Sequence, residues 1–172
     1  QNNGTVVIST PFDQKLADLS GAVNKTYVAF GRYAQEGVAN QAGMDTAALT
    51  ASPAAAASRA AAKVSGQYRN ARWDLVDASK QKDFDITKVE KKSLPKEMQD
   101  MTTDQQQAHI TKMAEERETI QAQILELNKK RISYVSEKRK EMAEESGEQT
   151  LDEAVASTVR AQAEKKGYQF GK

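Results

Sequence analysis

The sequence predicts a mainly α-helical protein, and three observations support this prediction. Residues 103–145 contain neither glycine nor proline and are rich in Glu, Gln, Lys, Ala and Arg, which all favour helix. An alanine-rich run begins after Ser52 and Pro53, and alanine has the highest helix propensity of any residue. Only 38% of the 172 residues are hydrophobic and 6% aromatic, which suits an elongated helical body better than a compact globule.

The first 31 residues predict a small strand-helix-strand unit. Residues 6–8 form a short β-branched run, and residues 26–30 read Thr-Tyr-Val-Ala-Phe before Gly31. Two strands and one helix cannot bury their own faces. We therefore expect both strands to lie at the edge of a sheet whose other strands precede Gln1 or come from another chain.

The helix of this unit has a recognisable start and one apolar face. Thr10, Pro11 and Asp13 have the residue types and spacing of a capped helix N-terminus with a capping-box acid. Apolar residues then recur at spacings of three and four: Leu16, Leu19 and Val23. This pattern predicts a helix that ends near Asn24.

The rest of the chain divides into a linker and a helical extension. Residues 32–52 are small and polar, and we predict a weak helix or a loop there. Residues 53–172 form the predicted extension, in which the alanine-rich helix runs to about Tyr68. An apolar segment with irregular or short helical backbone then plugs the junction between the helices: Trp73, Leu75, Val76, Phe84, Ile86, Val89 and Leu94.

The long helix carries an apolar stripe with two polar interruptions. The stripe follows helical spacing: Ile110, Met113, Ile120, Ile124, Leu127 and Tyr134. Arg117 and Arg131 interrupt it, so the coiled-coil seam is imperfect. Glu126 and Lys130 have the spacing of a favourable ion pair. A last helix, capped by Thr150, is predicted to have four apolar residues on one face: Leu151, Ala154, Val155 and Val159. We expect the long helix to pack against both this last helix and the alanine-rich helix.

Composition excludes several classes of function. The 25 basic and 24 acidic residues nearly cancel, so no field of one sign steers the chain toward nucleic acid or anionic membrane. The chain has no cysteine, which excludes disulfides and thiolate chemistry. No apolar run approaches the ~20 residues that span a bilayer. The start at Gln1 instead of Met indicates a processed product or a piece of a longer protein.

The sequence DFDIT at residues 83–87 matches the D-x-D-x-T signature of haloacid-dehalogenase-like phosphatases. There Asp83 would be the nucleophile and Asp85 the general acid. That chemistry needs a buried parallel strand before the motif, and the preceding Lys-Gln-Lys does not form one. The hydrolase therefore stays an alternative, and an EF-hand is excluded because Lys88 occupies the position of its invariant glycine.

Three further features have a structural interpretation that we prefer over a functional one. Residues 128–140 are the most basic stretch, but acidic residues follow at once. This pattern predicts a solvated helix face. A protein that binds nucleic acid or a membrane surface through Lys129 to Lys140 remains the alternative. His109 is the only histidine and is predicted to be exposed without a site. Trp73, beside Arg69 and Arg72, fits a stacking platform but is better interpreted as a core residue.

The order of elements in residues 6–31, VVISTPFDQKLADLSGAVNKTYVAFG, resembles the last strand-helix-strand of a von Willebrand factor type A domain. More narrowly, it looks like a bacterial subfamily closed by a T-P-[FY]-D helix, an L-x-x-L pair and an N-x-T-Y-V-x-[FY]-G strand. A helical extension with a Y-R-N-x-x-W-D-L-V-D-A segment follows there, and residues 68–78 match it as YRNARWDLVDA. The later LPKEMQDMT and the long Glu/Lys-rich helix also resemble that extension.

The resemblance implies an α/β sandwich upstream, with a D-x-S-x-S loop that binds Mg²⁺ or a similar ion. This chain has no such loop, since its nearest match at residues 18–22 lacks the last serine and lies in a predicted helix. We therefore predict no catalytic, cofactor-binding or metal residue and no cofactor. Proteins of this kind are often exported, which implies a periplasmic or extracellular location and leaves a cytoplasmic one open.

The sequence therefore predicts a non-enzymatic interaction or scaffold module. Its expected partner is another protein, or a second copy, bound through the long helix, since a ragged apolar stripe often completes its burial against a partner. A type A domain is expected upstream in cis or in another chain. No nucleic-acid partner and no membrane span are expected.

Overall fold

Helices dominate the computed structural model, which describes residues 7–146, 155, 158–160, 162–163 and 165–166. The helices are α1 (Asp13–Asn24), α2 (Ala34–Ala51), α3 (Pro53–Lys63), α4 (Leu75–Ala78) and α5 (Thr103–Ser146). Three short 3₁₀ turns lie between α4 and α5: Ile86–Lys88, Lys91–Ser93 and Lys96–Met98. The mainly α prediction is confirmed. The chain divides into two compact units, Gln1–Arg131 and Ile132–Lys172, and α5 contributes residues to both.

The predicted strand-helix-strand unit is wrong in its two strands. Val7 and Ile8 have no regular secondary structure, and the remainder of residues 6–8 lies outside the described residues. In residues 26–30 the only β feature is an isolated antiparallel bridge from Ala29 to Asp74. Within the described part of the chain no β-strand is present.

The physical reason is that residues 26–30 find their backbone partners in the loop before α4. The Val28 N–H donates to the Asp74 carboxylate at 2.9 Å. Two backbone hydrogen bonds flank it: Phe30 N to Trp73 O at 2.8 Å and Leu75 N to Val28 O at 2.9 Å. The sequence had indicated that these groups form the open edge of a sheet. They are instead hydrogen-bonded within the first unit.

The capping chemistry predicted from the sequence is observed at α3 but only in part at α1. Helix α1 begins at Asp13, later than predicted, and the preceding Phe12 makes no side-chain cap hydrogen bond. The Thr10 N–H and hydroxyl instead donate to the two Asp13 carboxylate oxygens at 2.9 and 2.7 Å. At α3 the Ser52 hydroxyl accepts from the Ala55 N–H at 3.0 Å, and Pro53 occupies the first turn. Helix α3 ends at Lys63, earlier than the predicted end near Tyr68.

The segment predicted as a weak helix or loop is the 18-residue helix α2. It packs against α1 and α3. Its close approach to Trp73 requires glycine at position 37, since a Cβ there would lie 2.3 Å from the Trp73 ring. Trp73 is only 8% exposed and stacks edge-on against Tyr27 at 4.9 Å, which confirms the prediction that it is a core residue.

Two apolar clusters hold the first unit together, and α5 contributes to both. One surrounds Ile110 and contains Val28, Leu75, Val76, Ile86, Leu94 and Met98. The other surrounds Ile124 and contains Leu16, Leu19, Val23, Ala57 and Ala60. Ile124 of the long helix thus shares a cluster with two alanines of α3, and Ile110 shares one with apolar residues of the segment between Trp73 and Leu94.

Helix α5 has 44 residues and is about 66 Å long at the usual rise per residue. The predicted Glu126–Lys130 pair forms at 2.7 Å. Of the predicted last helix, residues 155, 158–160, 162–163 and 165 are helical, while Thr150, Leu151 and Ala154 lie outside the described residues. In the described parts of the chain, no helix combines the length and apolarity needed to cross a bilayer.

Candidate functional site

Arg117, which interrupts the apolar stripe of α5, points into the core of the first unit. Its side chain is 2% exposed and donates to Asp74 at 2.6 Å and to Asp77 at 3.1 Å. It also donates to the Thr26 hydroxyl at 2.8 Å and the Thr26 carbonyl at 2.7 Å. The guanidinium lies 4.8 Å from the centre of the Tyr27 ring. Every side of this cation is therefore engaged by the protein itself.

Arg131, two heptads after Arg117 on α5, also contacts other helices of the first unit. Its Nε donates to the Asp13 carboxylate at 2.8 Å, and its Nη2 donates to the Ala54 carbonyl at 3.3 Å. Burial alone would raise the pKa of Asp13, but hydrogen bonds from Thr10 and Arg131 outweigh burial and hold the pKa below its usual value. The pair ties α5 to the starts of α1 and α3.

A polar network joins α1, α2 and α3 around Lys63. The Lys63 ammonium is buried and donates to Asp45 at 2.5 Å, to Asn24 at 2.7 Å and to the Ser20 carbonyl at 3.2 Å. Arg59 donates to the second Asp45 oxygen at 2.6 Å. Burial acts to raise the pKa of Asp45, but the hydrogen bonds from Lys63 and Asn24 dominate and lower it. All three donors of the ammonium are used, so the network has a structural role.

An open groove lies between α2 and the loop that carries Trp73. Residues from the start of α2 line one wall, and the loop that carries Trp73 lines the other. Its volume is about 760 Å³. The Arg32 and Arg72 guanidiniums lie 4.6 and 4.4 Å from the centre of the Tyr33 ring. A platform of Trp73 with Arg69 and Arg72 was the less favoured interpretation of the sequence. The structure places side chains of α2 in the same groove lining as these three residues.

The α2 side of the groove was missed because residues 32–52 were predicted as a linker. The helix carries Tyr33 at its start and Met44 further along, and both line the groove. The signal that was available is the adjacent Arg32–Tyr33 pair, which repeats the Arg–aromatic pairing near Trp73. Only the fold brings the two pairs together.

The structure does not assemble the predicted DFDIT site. Asp83 is exposed in a turn, and no strand precedes it. Asp85 caps the Ile86–Lys88 turn and accepts from the Thr87 N–H at 2.9 Å and hydroxyl at 2.6 Å. These hydrogen bonds lower the pKa of Asp85. Among the described residues no group of three or more His, Asp or Glu side chains is placed to hold a metal ion.

Several cations of the basic stretch are paired within the protein. Lys130 bonds Glu126, Lys138 bonds Glu141, and Arg131 bonds Asp13. His109 is half-buried on α5. This part of the helix therefore presents a face of mixed charge, as alternating signs along a helix predict.

The second unit places apolar side chains in solvent. Ile132 and Met142 on α5 are 58% and 42% exposed, and Val155 and Val159 are 52% and 56% exposed. No side chain whose burial is described in this unit is buried. The apolar face predicted for the last helix is therefore uncovered at these two valines.

No protein-family model, curated protein or solved structure matches this chain. The likeness to the type A extension consequently rests on the sequence motifs alone.

Proposed function

We propose that this chain is a non-enzymatic interaction module that self-associates through its second unit. The exposed apolar side chains of that unit are the observation that carries the proposal. More than two-fifths of the surface is exposed at each of four apolar residues: Ile132, Met142, Val155 and Val159. Among the residues of the second unit whose burial is described, none is buried, so these side chains have no core there. Transfer of apolar side chains out of water is favourable, so such a surface gains free energy when a partner covers it.

The first unit supports the non-enzymatic part of the proposal. Its buried charged groups are each committed to structural partners: Arg117 to Asp74, Arg131 to Asp13 and Lys63 to Asp45. Groups held in this way anchor helices to one another.

A second copy of the chain is the occupant that the charges favour. Along α5, the basic Arg139 and Lys140 precede the acidic Glu144 and Glu145. In an antiparallel pair of helices, the basic part of one copy lies against the acidic part of the other, and two-fold symmetry repeats each contact. Ile132, Val135 and Met142 have the three-and-seven spacing of a helix-pairing seam.

Sedimentation equilibrium tests this proposal. We expect a concentration-dependent dimer for the wild type and a monomer for the double variant Ile132→Ser, Met142→Ser. The matched control is Val38→Ser, Leu49→Ser, which replaces two α2 side chains that are 45% and 52% exposed and should leave the dimer intact. A wild type that stays monomeric up to about 100 µM, where a micromolar Kd would be evident, contradicts the proposal.

The wider context stays a prediction. The helical extension of a bacterial von Willebrand factor type A protein, with that domain in cis or in another chain, is supported by the YRNARWDLVDA motif at residues 68–78. A periplasmic or extracellular location depends on the same likeness. Sequencing the parent gene upstream of Gln1 tests both, and the expected result is a D-x-S-x-S loop within about one domain length.

A further inference from the structure

The groove beside α2 is lined by the residue types that dominate protein interfaces. Its lining includes Tyr33, Glu36, Met44, Arg69, Arg72 and Trp73. Tryptophan, tyrosine and arginine are the commonest hot-spot residues, and methionine is also enriched at interfaces. The Met44 side chain is 56% exposed, so an apolar contact is available at the rim.

The charged lining of the groove is net positive, with two arginines, Arg69 and Arg72, against one acid. Among the described residues neither guanidinium has a carboxylate within ion-pair distance. Arg69 uses one donor on the Gly66 carbonyl at 3.2 Å. Because each guanidinium has five donors, most remain available.

Arginine held near an aromatic ring is preorganised for a carboxylate. The Arg72 guanidinium lies 4.4 Å from the centre of the Tyr33 ring, which restricts its rotation. A planar guanidinium binds a carboxylate through two parallel hydrogen bonds. The single acid of the lining, Glu36, neutralises at most one of the two arginines there.

We propose that this groove binds an acidic peptide segment of a partner protein. Carboxylates of the peptide pair with Arg69 and Arg72, and an apolar peptide side chain packs between Met44 and Trp73. An open groove with mixed polar and apolar walls suits an extended segment better than a small molecule, which needs a more enclosed pocket. This surface lies in the first unit, so its test is independent of the self-association test.

Trp73 provides a direct readout, since it is the only tryptophan of the chain and forms part of the groove wall. The probe is a blocked octapeptide of alternating Glu and Leu, titrated into the full chain while tryptophan fluorescence is followed. We expect a saturable change and a Kd that rises with salt. The same peptide with Gln in place of Glu should bind at least tenfold more weakly, because it lacks the charge-assisted hydrogen bonds.

Two variants separate the groove from general electrostatic attraction. Arg69→Gln and Arg72→Gln should each weaken binding of the Glu-Leu peptide about tenfold or more, measured by titration calorimetry. Lys112→Gln, at an exposed cation of α5 in the first unit, is the matched control and should bind as the wild type does. Equal binding of the glutamine peptide, full competition by inorganic phosphate at the peptide's concentration, or equal losses in all three variants would overturn the proposal. Circular dichroism checks that each variant is folded.

Discussion

Gly37 lets Trp73 lie directly against the backbone of α2. A Cβ at this position would be 2.3–2.5 Å from three atoms of the indole, which is closer than carbon atoms approach without strain. The indole is buried and rigid, so it does not move aside at little cost. Gly43, in the same helix, has open space around the same position.

We therefore expect Gly37→Ala and Gly43→Ala to have opposite effects. Gly37→Ala should lower the free energy of unfolding by about 1–3 kcal/mol through overpacking. Gly43→Ala should raise it by up to about 1 kcal/mol, because alanine has the better helix propensity. Urea denaturation followed by circular dichroism measures both. If Gly37→Ala were also stabilising, the close contact with Trp73 would be wrong.

Asp83 and Asp85 show that a short sequence motif is weak evidence for a catalytic site. The DFDIT motif suggested a nucleophile and a general acid, while the Lys-Gln-Lys sequence before it argued against the strand that such a site requires. The structure has a turn there, and Asp85 serves as a local cap. The flanking residues were more informative than the motif.

At the scale of the element, α5 combines a correct prediction with a misunderstood detail. Its bounds were predicted to within one residue, because a run without glycine or proline has few alternatives to helix. Its two arginines were interpreted as defects of the apolar stripe. Arg117 and Arg131 instead fix the helix to partners that are distant in sequence: Asp74, Asp77, Thr26, Asp13 and Ala54.

Removal of the Arg117 guanidinium should strongly destabilise the first unit. Arg117→Met leaves the fully buried Asp74 carboxylate without its cation, and we expect a loss of about 3–5 kcal/mol in the free energy of unfolding. The measurement is the urea midpoint. Lys112→Met, at an exposed position of the same helix, is the matched control and should change stability by less than about 0.5 kcal/mol.

A second variant separates the charge effect from simple loss of packing. Arg117→Met combined with Asp74→Asn removes both charges while the asparagine oxygen still accepts from the Val28 N–H. The double variant should recover part of the stability lost in Arg117→Met. Strictly additive losses would show that the buried ion pair is not the reason for the destabilisation.

At the scale of the whole molecule, two carboxylates couple the fold to pH. In the folded state the pKa values of Asp13 and Asp45 both lie below the usual 3.8. At these two groups the unfolded chain therefore takes up protons first as the pH falls, whereas burial raises the pKa of Asp74 and gives that carboxylate the opposite effect. The stability that these groups contribute is fully present above about pH 5 and is lost as the pH drops through their folded pKa values.

We expect urea midpoints to be flat from pH 7 to about pH 5 and to fall steeply below pH 4. Asp45→Asn should lower stability at pH 7, since it leaves the Lys63 ammonium buried without its anion, and should also reduce the slope below pH 4. Asp83→Asn, at an exposed carboxylate, serves as the control and should keep the full slope. An unchanged slope in Asp45→Asn would contradict the role of this network.

The sequence by itself determined the helical character of the chain, the bounds of α5, the capped start of α3, and the burial of Trp73. These features depend on propensity, capping chemistry and apolar spacing, which act over a few residues. The same local reasoning failed for residues 26–30, whose β-branched and aromatic composition suits a strand. Propensity describes which backbone a segment favours and not which partner supplies its hydrogen bonds.

Only the tertiary structure decided those partners. It paired Ala29 with Asp74, directed Arg117 inward and set the arginines near Trp73 opposite a helix that had been predicted as a linker. Each of these contacts joins residues that are more than 25 positions apart in the chain, at distances where neither spacing nor propensity carries information. The buried Asp74 carboxylate connects them, because a charge without water must be matched by donors from wherever the fold can bring them.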